Sequence, residues 1–429
     1  MRRLDLLHAP RNKPSRFFRF LGPGLITGAA DDDPSGIATY SQAGAAFGFG
    51  QLWSIALCLP LMIAVQECCA RIGAVTGKGL VKVTSEIYSK KIVYSVVALV
   101  VVANVINIGA DIAAIGAALN LFIPLPILLL SSISALLIVF LEIVIGYHTY
   151  AKFLKFLALT LLAYVLTAFI VGPNWLEVAK SLVVPEISWT TEYWYVIVAL
   201  LGTTISPYMF FWQAAEEVEE QKFAIKNHRK VRTLKTIRRD TILGMSASQL
   251  ASLFMIVTTA VVLNQNNVTN IQTAADAAKA LEPLVQSFPD AGLYAKIIFA
   301  IGIIGMGLLG IPVLAGSVAY AVSDTRSWPQ GLDYKFSQAK SFYAVIIIAT
   351  AAGWGMNAIG IDPIRALVFA AVINGLVSIP LILLLGKISK NQNVMGVNVG
   401  GRLSRVMLTA TFIVTLMAGL ILMISLLRG

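Results

Sequence analysis

The chain has 429 residues, of which 57% are hydrophobic and only 13% are charged, and its formal net charge is +11. Soluble domains carry about 25% charged residues, so this chain lacks the polar groups needed to cover a water-soluble protein of its length. The same composition excludes intrinsic disorder, collagen and coiled coil. It indicates a single polytopic membrane domain.

Eleven apolar segments are long enough to cross a bilayer, because a hydrocarbon core of about 30 Å needs roughly 20 helical residues. They predict an all-α protein with about 11 transmembrane helices, preceded by a basic segment over residues 1–20. The segments lie near 21–48, 52–74, 92–122, 125–146, 151–172, 193–219, 241–263, 293–322, 341–360, 364–386 and 405–427.

The basic residues are distributed unevenly between the two sides of these segments. If the N-terminus is cytoplasmic, only five of the 33 Lys and Arg residues fall outside: Lys180, Lys279, Lys296, Arg365 and Arg428. This is the bias that the positive-inside rule describes. It predicts a multi-pass protein of the cell (inner) membrane with an extracytoplasmic C-terminus. It also explains the net charge without nucleic-acid binding.

Two of the predicted spans contain signals that break a helix. Near the middle of the first span, Asp31-Asp32-Asp33-Pro34-Ser35-Gly36 interrupts an apolar run, and unwinding is expected over 32–36. In the sixth span, Gly202-Thr203-Thr204-Ile205-Ser206-Pro207-Tyr208 places a second proline near the middle. Non-helical backbone at this depth persists only where it lines protein or a water-filled cavity.

The two breaks lie five spans apart, so each falls in the first span of a five-span half. An odd number of spans places the two halves in opposite orientations, which is typical of inverted-repeat transporters with discontinuous helices. The predicted fold is therefore a 5+5 inverted repeat within one domain, 21–429. Its first half is 21–172, its second half is 193–386, and one extra helix is 405–427.

An aspartate at the bilayer centre costs roughly 2.5–3.5 kcal/mol on insertion scales, so it implies a partner or a function. No Lys or Arg lies in the middle of any predicted span. A transported cation is therefore the natural partner of Asp33. Asp31 and Asp32 are further candidates for contact with the ion or with a water-filled vestibule.

Several motifs resemble the NRAMP family of divalent-metal transporters. They are Leu21-Gly-Pro-Gly24, Asp33-Pro34, Gln66-Glu67 through Arg71-Ile-Gly, Thr76-Gly-Lys-Gly79, Asp111 and Thr204-Ile-Ser-Pro207. The resemblance covers most of the chain. It implies a LeuT-like fold of ten core helices in two inverted halves with one or two more.

The chain departs from the family pattern at the two breaks. Where the resemblance implies Asp-Pro-Gly-Asn and Met-Pro-His-Asn, this chain has Asp-Pro-Ser-Gly36 and Ser206-Pro-Tyr208-Met. A second histidine of the family pattern corresponds to Gln213. Thioether sulfur favours softer transition metals, whereas carboxylate and carbonyl oxygens and water suit Mg²⁺ and Mn²⁺. These departures resemble the divergent NRAMP-related magnesium transporters.

We therefore expect a site for hard divalent cations, Mg²⁺ and Mn²⁺, with the ion partly hydrated because Mg²⁺ releases water reluctantly. The expected partners are the cation and the lipid bilayer, with no cofactor and no obligatory protein partner. The candidate ligands are Asp33, Ser206, Gly36, Thr203, Tyr208, Asp32 and Asn374. The replacement of an asparagine by Gly36 is expected to enlarge this site, and Met209 remains a possible source of sulfur.

Proton coupling is not expected. The three histidines, His8, His148 and His228, all fall outside the predicted membrane core, although Asp111 keeps one acid of the family's proton route. Transport would then follow the ion gradient and the membrane voltage. The alternative is a proton-coupled Mn²⁺/Fe²⁺ symporter. A sodium-coupled carrier of organic substrates and an intramembrane enzyme are less favoured, the latter because Ser35 has no intramembrane His as a base.

Overall fold

The computed structural model describes residues 23–145, 158–226, 228, 231–332 and 334–428. The predicted N-terminal segment 1–20, the beginning of the predicted fifth span, His8 and His148 lie outside these ranges. Within the described ranges, every regular element is helical.

The first half of the chain and the helix that follows it contribute eight labelled helices. These are α1 (Pro23–Asp31), α2 (Pro34–Phe47), α3 (Leu52–Thr76), α4 (Leu80–Ile87), α5 (Lys90–Asn120), α6 (Ile127–Val144), α7 (Leu162–Val171) and α8 (Trp175–Val183). A 3₁₀ turn, Ala158–Leu161, leads directly into α7.

The remainder contributes seven more labelled helices. These are α9 (Thr191–Thr204), α10 (Pro207–Lys226), α11 (Leu234–Val262), α12 (Ala291–Arg326), α13 (Lys340–Met356), α14 (Pro363–Lys390) and α15 (Arg402–Arg428). Two short helices, Ala274–Ala278 and Gln392–Met395, lie in the connections.

The described helices confirm the expected number of spans. Eight of them are long and apolar enough to cross a membrane, counting α9 and α10 together, and two shorter apolar helices cover Leu159–Val171 and Lys340–Met356. With the broken first span, formed by α1 and α2, these make eleven. The turn between spans nine and ten ends where the Asp362 carboxylate caps α14 by accepting from two backbone N–H groups.

The packing of the helices follows the symmetry of an inverted repeat. In the first span α2 packs along α11, the seventh span, and in the sixth span α10 packs along α3, the second span. The third and eighth spans, α5 and α12, pack against each other. Exchanging the two halves converts the first of these contacts into the second and leaves the third unchanged, as a pseudo-two-fold axis requires.

Glycines allow two helix pairs to approach to backbone contact. A Cβ atom at Gly202 on α9 would overlap the Ala371 carbonyl oxygen of α14, and one at Gly375 would lie 2.6 Å from the Val198 carbonyl oxygen. A Cβ atom at Gly28 on α1 would likewise overlap the Gly244 carbonyl oxygen of α11. Small residues permit such contacts in membranes, where dispersion forces dominate helix association.

We predict that Gly202→Ala destabilises the protein by about 1–3 kcal/mol, because the added methyl group forces α9 and α14 apart. Gly386→Ala on α14 is the matched control, since nothing lies within 4 Å of its Cβ position. Alanine there should be neutral or slightly stabilising. Unfolding midpoints of the purified variants in detergent provide the measurement, and equal midpoints would contradict the packing argument.

Candidate metal site

The break in the first span places Asp33 at the start of a helix. Its backbone is extended, with φ −60° and ψ 173°, and Pro34 follows as the first residue of α2. Proline is favoured at this position because its missing N–H needs no partner there. The Asp33 Oδ1 atom accepts from the Gly36 N–H at 3.0 Å and the Ser35 Oγ at 2.6 Å. The carboxylate therefore caps α2 and faces the positive end of the helix dipole.

The helix resumes earlier than the sequence predicted. Unwinding was expected over 32–36, but only Asp32 and Asp33 lie outside the helices α1 and α2. The reason is local: the cap formed by Asp33 stabilises the first turn of α2, so Ser35 and Gly36 are helical.

The second oxygen of Asp33 contacts two other spans. Asp33 Oδ2 accepts from Asn107 Nδ2 of α5 at 3.0 Å and from the Tyr208 hydroxyl of α10 at 3.3 Å. The Tyr208 hydroxyl also lies 2.9 Å from the Ala30 carbonyl oxygen. All four donors to Asp33 are neutral, and within the described ranges no ion pair involves this carboxylate.

The sixth span breaks at Ile205 and Ser206, as predicted. The Ser206 hydroxyl donates to backbone carbonyl oxygens next to the break. The Gly202 oxygen lies at 2.6 Å and the Thr203 oxygen at 2.9 Å. Thr203 Oγ1 is buried and has no hydrogen-bond partner among the residues that the structure describes. Three hydroxyls were predicted as ligands, those of Thr203, Ser206 and Tyr208, and among the described residues only the Thr203 hydroxyl lacks an existing hydrogen bond.

Gly36 lies in a closely packed position. A Cβ atom there would be 3.1 Å from the Asp31 carbonyl oxygen and 3.3 Å from Thr203 Oγ1. The absence of a side chain at Gly36 thus brings α2 and the end of α9 together. The replacement of an asparagine by Gly36 was expected to enlarge the site. It leaves less open space than expected, because Thr203 occupies part of that space.

A chain of amides connects Asp33 to the tenth span. Asn107 Oδ1 accepts from Asn374 Nδ2 of α14 at 3.3 Å, and within the described ranges Asn374 Oδ1 has no hydrogen-bond partner. Asn107 Nδ2 also lies 3.5 Å from Asp111 Oδ2, one turn along α5. Asp33, Asn107, Asp111 and Asn374 are all buried. The structure therefore brings Asp33, Tyr208 and Asn374 into one polar layer.

Asp31 and Asp32 contact a different helix. Asp31 Oδ2 accepts from the Ser248 hydroxyl of α11 at 2.6 Å, and Asp32 Oδ1 lies 3.3 Å from the hydroxyls of Ser248 and Ser252. The three consecutive acids are divided between opposite sides of the break. Accordingly, the described residues contain no group of three or more His, Cys, Asp or Glu side chains placed to hold a metal.

Sequence reasoning missed two supports of the site. Asn107 was not among the candidate ligands, yet it donates directly to Asp33. Gly310 on α12 was not singled out, although a Cβ atom there would lie 3.0 Å from the Asp33 Cβ atom. The i,i+4 spacing of Asn107 and Asp111, and a glycine-rich eighth span, were the available signals.

On the side of α1 away from the break, a buried charge network joins three elements. Arg232 binds Glu217 of α10 at 3.4 Å and Asp240 of α11 at 2.8 Å. Asp240 Oδ2 also accepts from the Gly24 N–H at 2.9 Å, an amide at the start of α1 that has no intrahelical partner. These contacts hold the start of the first span against the seventh.

The fold and these two breaks define a multi-pass membrane transporter. A solved manganese transporter of Eremococcus coleocola, in complex with an aromatic bis-isothiourea compound, has a TM-score of 0.70 at 18% identity, covering 96% of this chain and 88% of that one. MhsT in complex with L-phenylalanine has a TM-score of 0.63 at 12% identity, covering 94% and 98%. These likenesses concern the fold, which is LeuT-like.

The family follows from the sequence. The model of the Nramp family, described as natural resistance-associated macrophage protein-like, matches residues 24–425. The chain therefore belongs to the Nramp family, and it is a transporter rather than an enzyme. A divalent metal cation transporter MntH of Pectobacterium carotovorum is 25% identical over 394 residues, covering 89% of this chain and 88% of the relative. One of Chromohalobacter salexigens is 26% identical over 286 residues, 64% of each.

We predict that Arg232→Gln destabilises the protein by about 3 kcal/mol, because it leaves Glu217 and Asp240 buried without their cation. Lys78→Gln is the control: it removes one charge from an ion pair with Glu86 in which both side chains are more than 40% exposed, a class typically worth under about 1 kcal/mol. Adding Glu217→Gln to Arg232→Gln should recover part of the loss. Denaturant unfolding measures these differences, and equal effects of the two single variants would contradict a buried network.

Proposed function

We propose that this chain carries hard divalent cations, Mg²⁺ and also Mn²⁺, across the membrane by alternating access, as partly hydrated ions and without proton coupling. The observation that carries the proposal is the buried Asp33 carboxylate between two interrupted helices, whose four hydrogen-bond donors are all neutral. The names of the relatives, divalent metal cation transporter and manganese transporter, support a divalent cation as the substrate class.

The groups around Asp33 suit an ion that arrives and leaves. The hydroxyls of Ser35 and Tyr208 donate to Asp33 in this structure, but each hydroxyl also carries lone pairs that can face a cation. Without the ion, the Ser35 and Tyr208 hydroxyls donate hydrogen bonds to the carboxylate. With the ion bound, the same oxygens replace part of its water.

The atoms in contact with Asp33 favour a hard ion. Among the described residues, the hydrogen-bond partners of Asp33 are oxygen and nitrogen atoms of Ser35, Gly36, Asn107 and Tyr208, and none of these partners is a sulfur. Because Thr203 Oγ1 is unpartnered and faces Gly36, we assign it as a ligand ahead of Ser206, whose hydroxyl binds its own helix. A single carboxylate with neutral oxygens matches the preference of Mg²⁺ for oxygen ligands and retained water.

The proposed absence of proton coupling rests on histidine, the side chain that ordinarily titrates near neutral pH, because none of the described helices contains one. His228 lies in the connection between α10 and α11, beyond both helices. A divalent ion gains about 4.6 kcal/mol from a potential of ~100 mV, which suffices for uptake toward a negative interior. In the predicted orientation that interior is the cytoplasm.

A second candidate is proton-coupled symport of Mn²⁺ or Fe²⁺. One observation favours it: Asp111 Oδ2 lies 3.5 Å from the Asn107 amide that binds Asp33, and in the described part of the chain Asp111 Oδ1 has no hydrogen-bond partner. A buried acid in this position is suited to exchange a proton when the charge at Asp33 changes.

We predict that Asp33→Ala lowers Mg²⁺ influx into proteoliposomes about tenfold or more, because it removes the carboxylate between the two interrupted helices that is proposed to bind the ion. Asp290→Asn, an exposed acid at the start of α12, is the control and should transport normally. A pH-sensitive dye inside the vesicles should report no acidification during influx of either ion. Unchanged influx in Asp33→Ala would remove the residue from the site, and acidification that follows the ion gradient would favour the symport candidate.

We predict that Ser206→Met combined with Gly36→Asn shifts the Mg²⁺/Mn²⁺ influx ratio toward Mn²⁺, because sulfur favours the softer ion. Ser206→Ala with Gly36→Asn is the matched control: it also loses the hydroxyl but adds no sulfur. The close contact of Gly36 with Thr203 requires that folding of both variants be verified by their unfolding temperatures. An identical ratio in the two variants would contradict the ligand argument.

A further inference from the structure

A groove of about 710 Å³ lies where the end of α14 meets the first turn of α15. Its mouth carries Lys390 from the last turn of α14 and Arg402 and Arg405 from the first turn of α15. None of the described residues that line it is acidic. Three cations are therefore concentrated at one site outside the metal site.

The local structure does not neutralise these charges. All three side chains are exposed, and no ion pair to them exists within the described ranges. The first turn of α15 contains no acidic residue, and the helix dipole adds positive potential there. An arginine in the first turn of a helix is electrostatically unfavourable, so this arrangement favours binding of an anion.

The wall below this charged mouth is apolar. It is formed by Val406, Ala410 and Ile413, which are spaced by four and three residues and so share one face of α15. Val406 and Ile413 are about half exposed, at 51% and 47%. The face continues from the charged turn along a helix that is apolar enough to span the membrane.

We propose that this groove binds one anionic phospholipid, with the headgroup phosphate at Lys390, Arg402 and Arg405 and an acyl chain along Val406, Ala410 and Ile413. Arginine binds phosphate oxygens through paired N–H groups, and a neighbouring lysine adds a point charge. A soluble anion would use the mouth only, whereas a phospholipid uses both the mouth and the wall. The lipid belongs to the leaflet at this end of α15, which is the cytoplasmic leaflet in the predicted orientation. The inference does not depend on which ion the protein transports.

The test uses the purified full chain in detergent with phosphatidylglycerol added, and native mass spectrometry to measure the bound lipid. Arg402→Gln with Arg405→Gln should bind it about 30-fold more weakly, since each basic residue near an anionic surface contributes a factor of about five. Lys90→Gln with Lys91→Gln is the matched control, because it removes the same charge from the first turn of α5. This control should bind the lipid as the wild type does.

Further variants keep the result interpretable. Arg402→Lys with Arg405→Lys preserves the charge and should retain most of the binding. If the double glutamine variant fails to fold, Lys390→Gln at the exposed end of α14 should still weaken binding about fivefold. The proposal is overturned if phosphatidylcholine binds as tightly, if the Lys90 and Lys91 control loses as much binding, or if inorganic phosphate alone displaces the lipid.

Discussion

A negative charge fixed at a helix break inside the membrane is the constraint on which this structure depends. Asp33 is buried, and among the described residues it has no basic partner. The start of α2, two hydroxyls and one amide stabilise it instead, through hydrogen bonds from neutral groups. Such bonds reduce the free energy of burying the charge without neutralising it. The carboxyl group is thus stabilised without a basic partner, and in the proposed function it is the group that a cation would bind.

The three consecutive acids, Asp31, Asp32 and Asp33, have different hydrogen-bond partners. Asp31 and Asp32 bind the hydroxyls of Ser248 and Ser252 on the seventh span, whereas Asp33 binds the third and sixth spans. Because helical structure is interrupted at Asp32 and Asp33, these adjacent side chains reach different helices. A cluster that appears continuous in the sequence therefore supplies only one carboxylate to the polar layer around Asn107.

The parts of this structure that sequence could predict are those with local causes. Both breaks were identifiable because proline removes an N–H from the helix and, at the first break, because charged residues interrupt an apolar run. The number of spans followed from hydrophobic length. The contact of Asn107 with Asp33, the close approach of Gly310 and the pairing of Asp240 with Gly24 depend on how distant helices are aligned. Residue spacing along one helix contains no information about that alignment, so a structure was needed.

The amide of Asn107 has a consequence for communication between the helices. Its NH₂ group donates to Asp33 and its oxygen accepts from Asn374. Because the two groups belong to one planar amide, neither can change partner without the other. If the amide rotates to present its oxygen to a cation at Asp33, it must present its NH₂ group to Asn374. The unpartnered Oδ1 atom of Asn374 can accept from that group after its own amide rotates. Occupancy at the first span would thereby reverse the hydrogen-bond direction as far as the tenth, without displacement of either backbone.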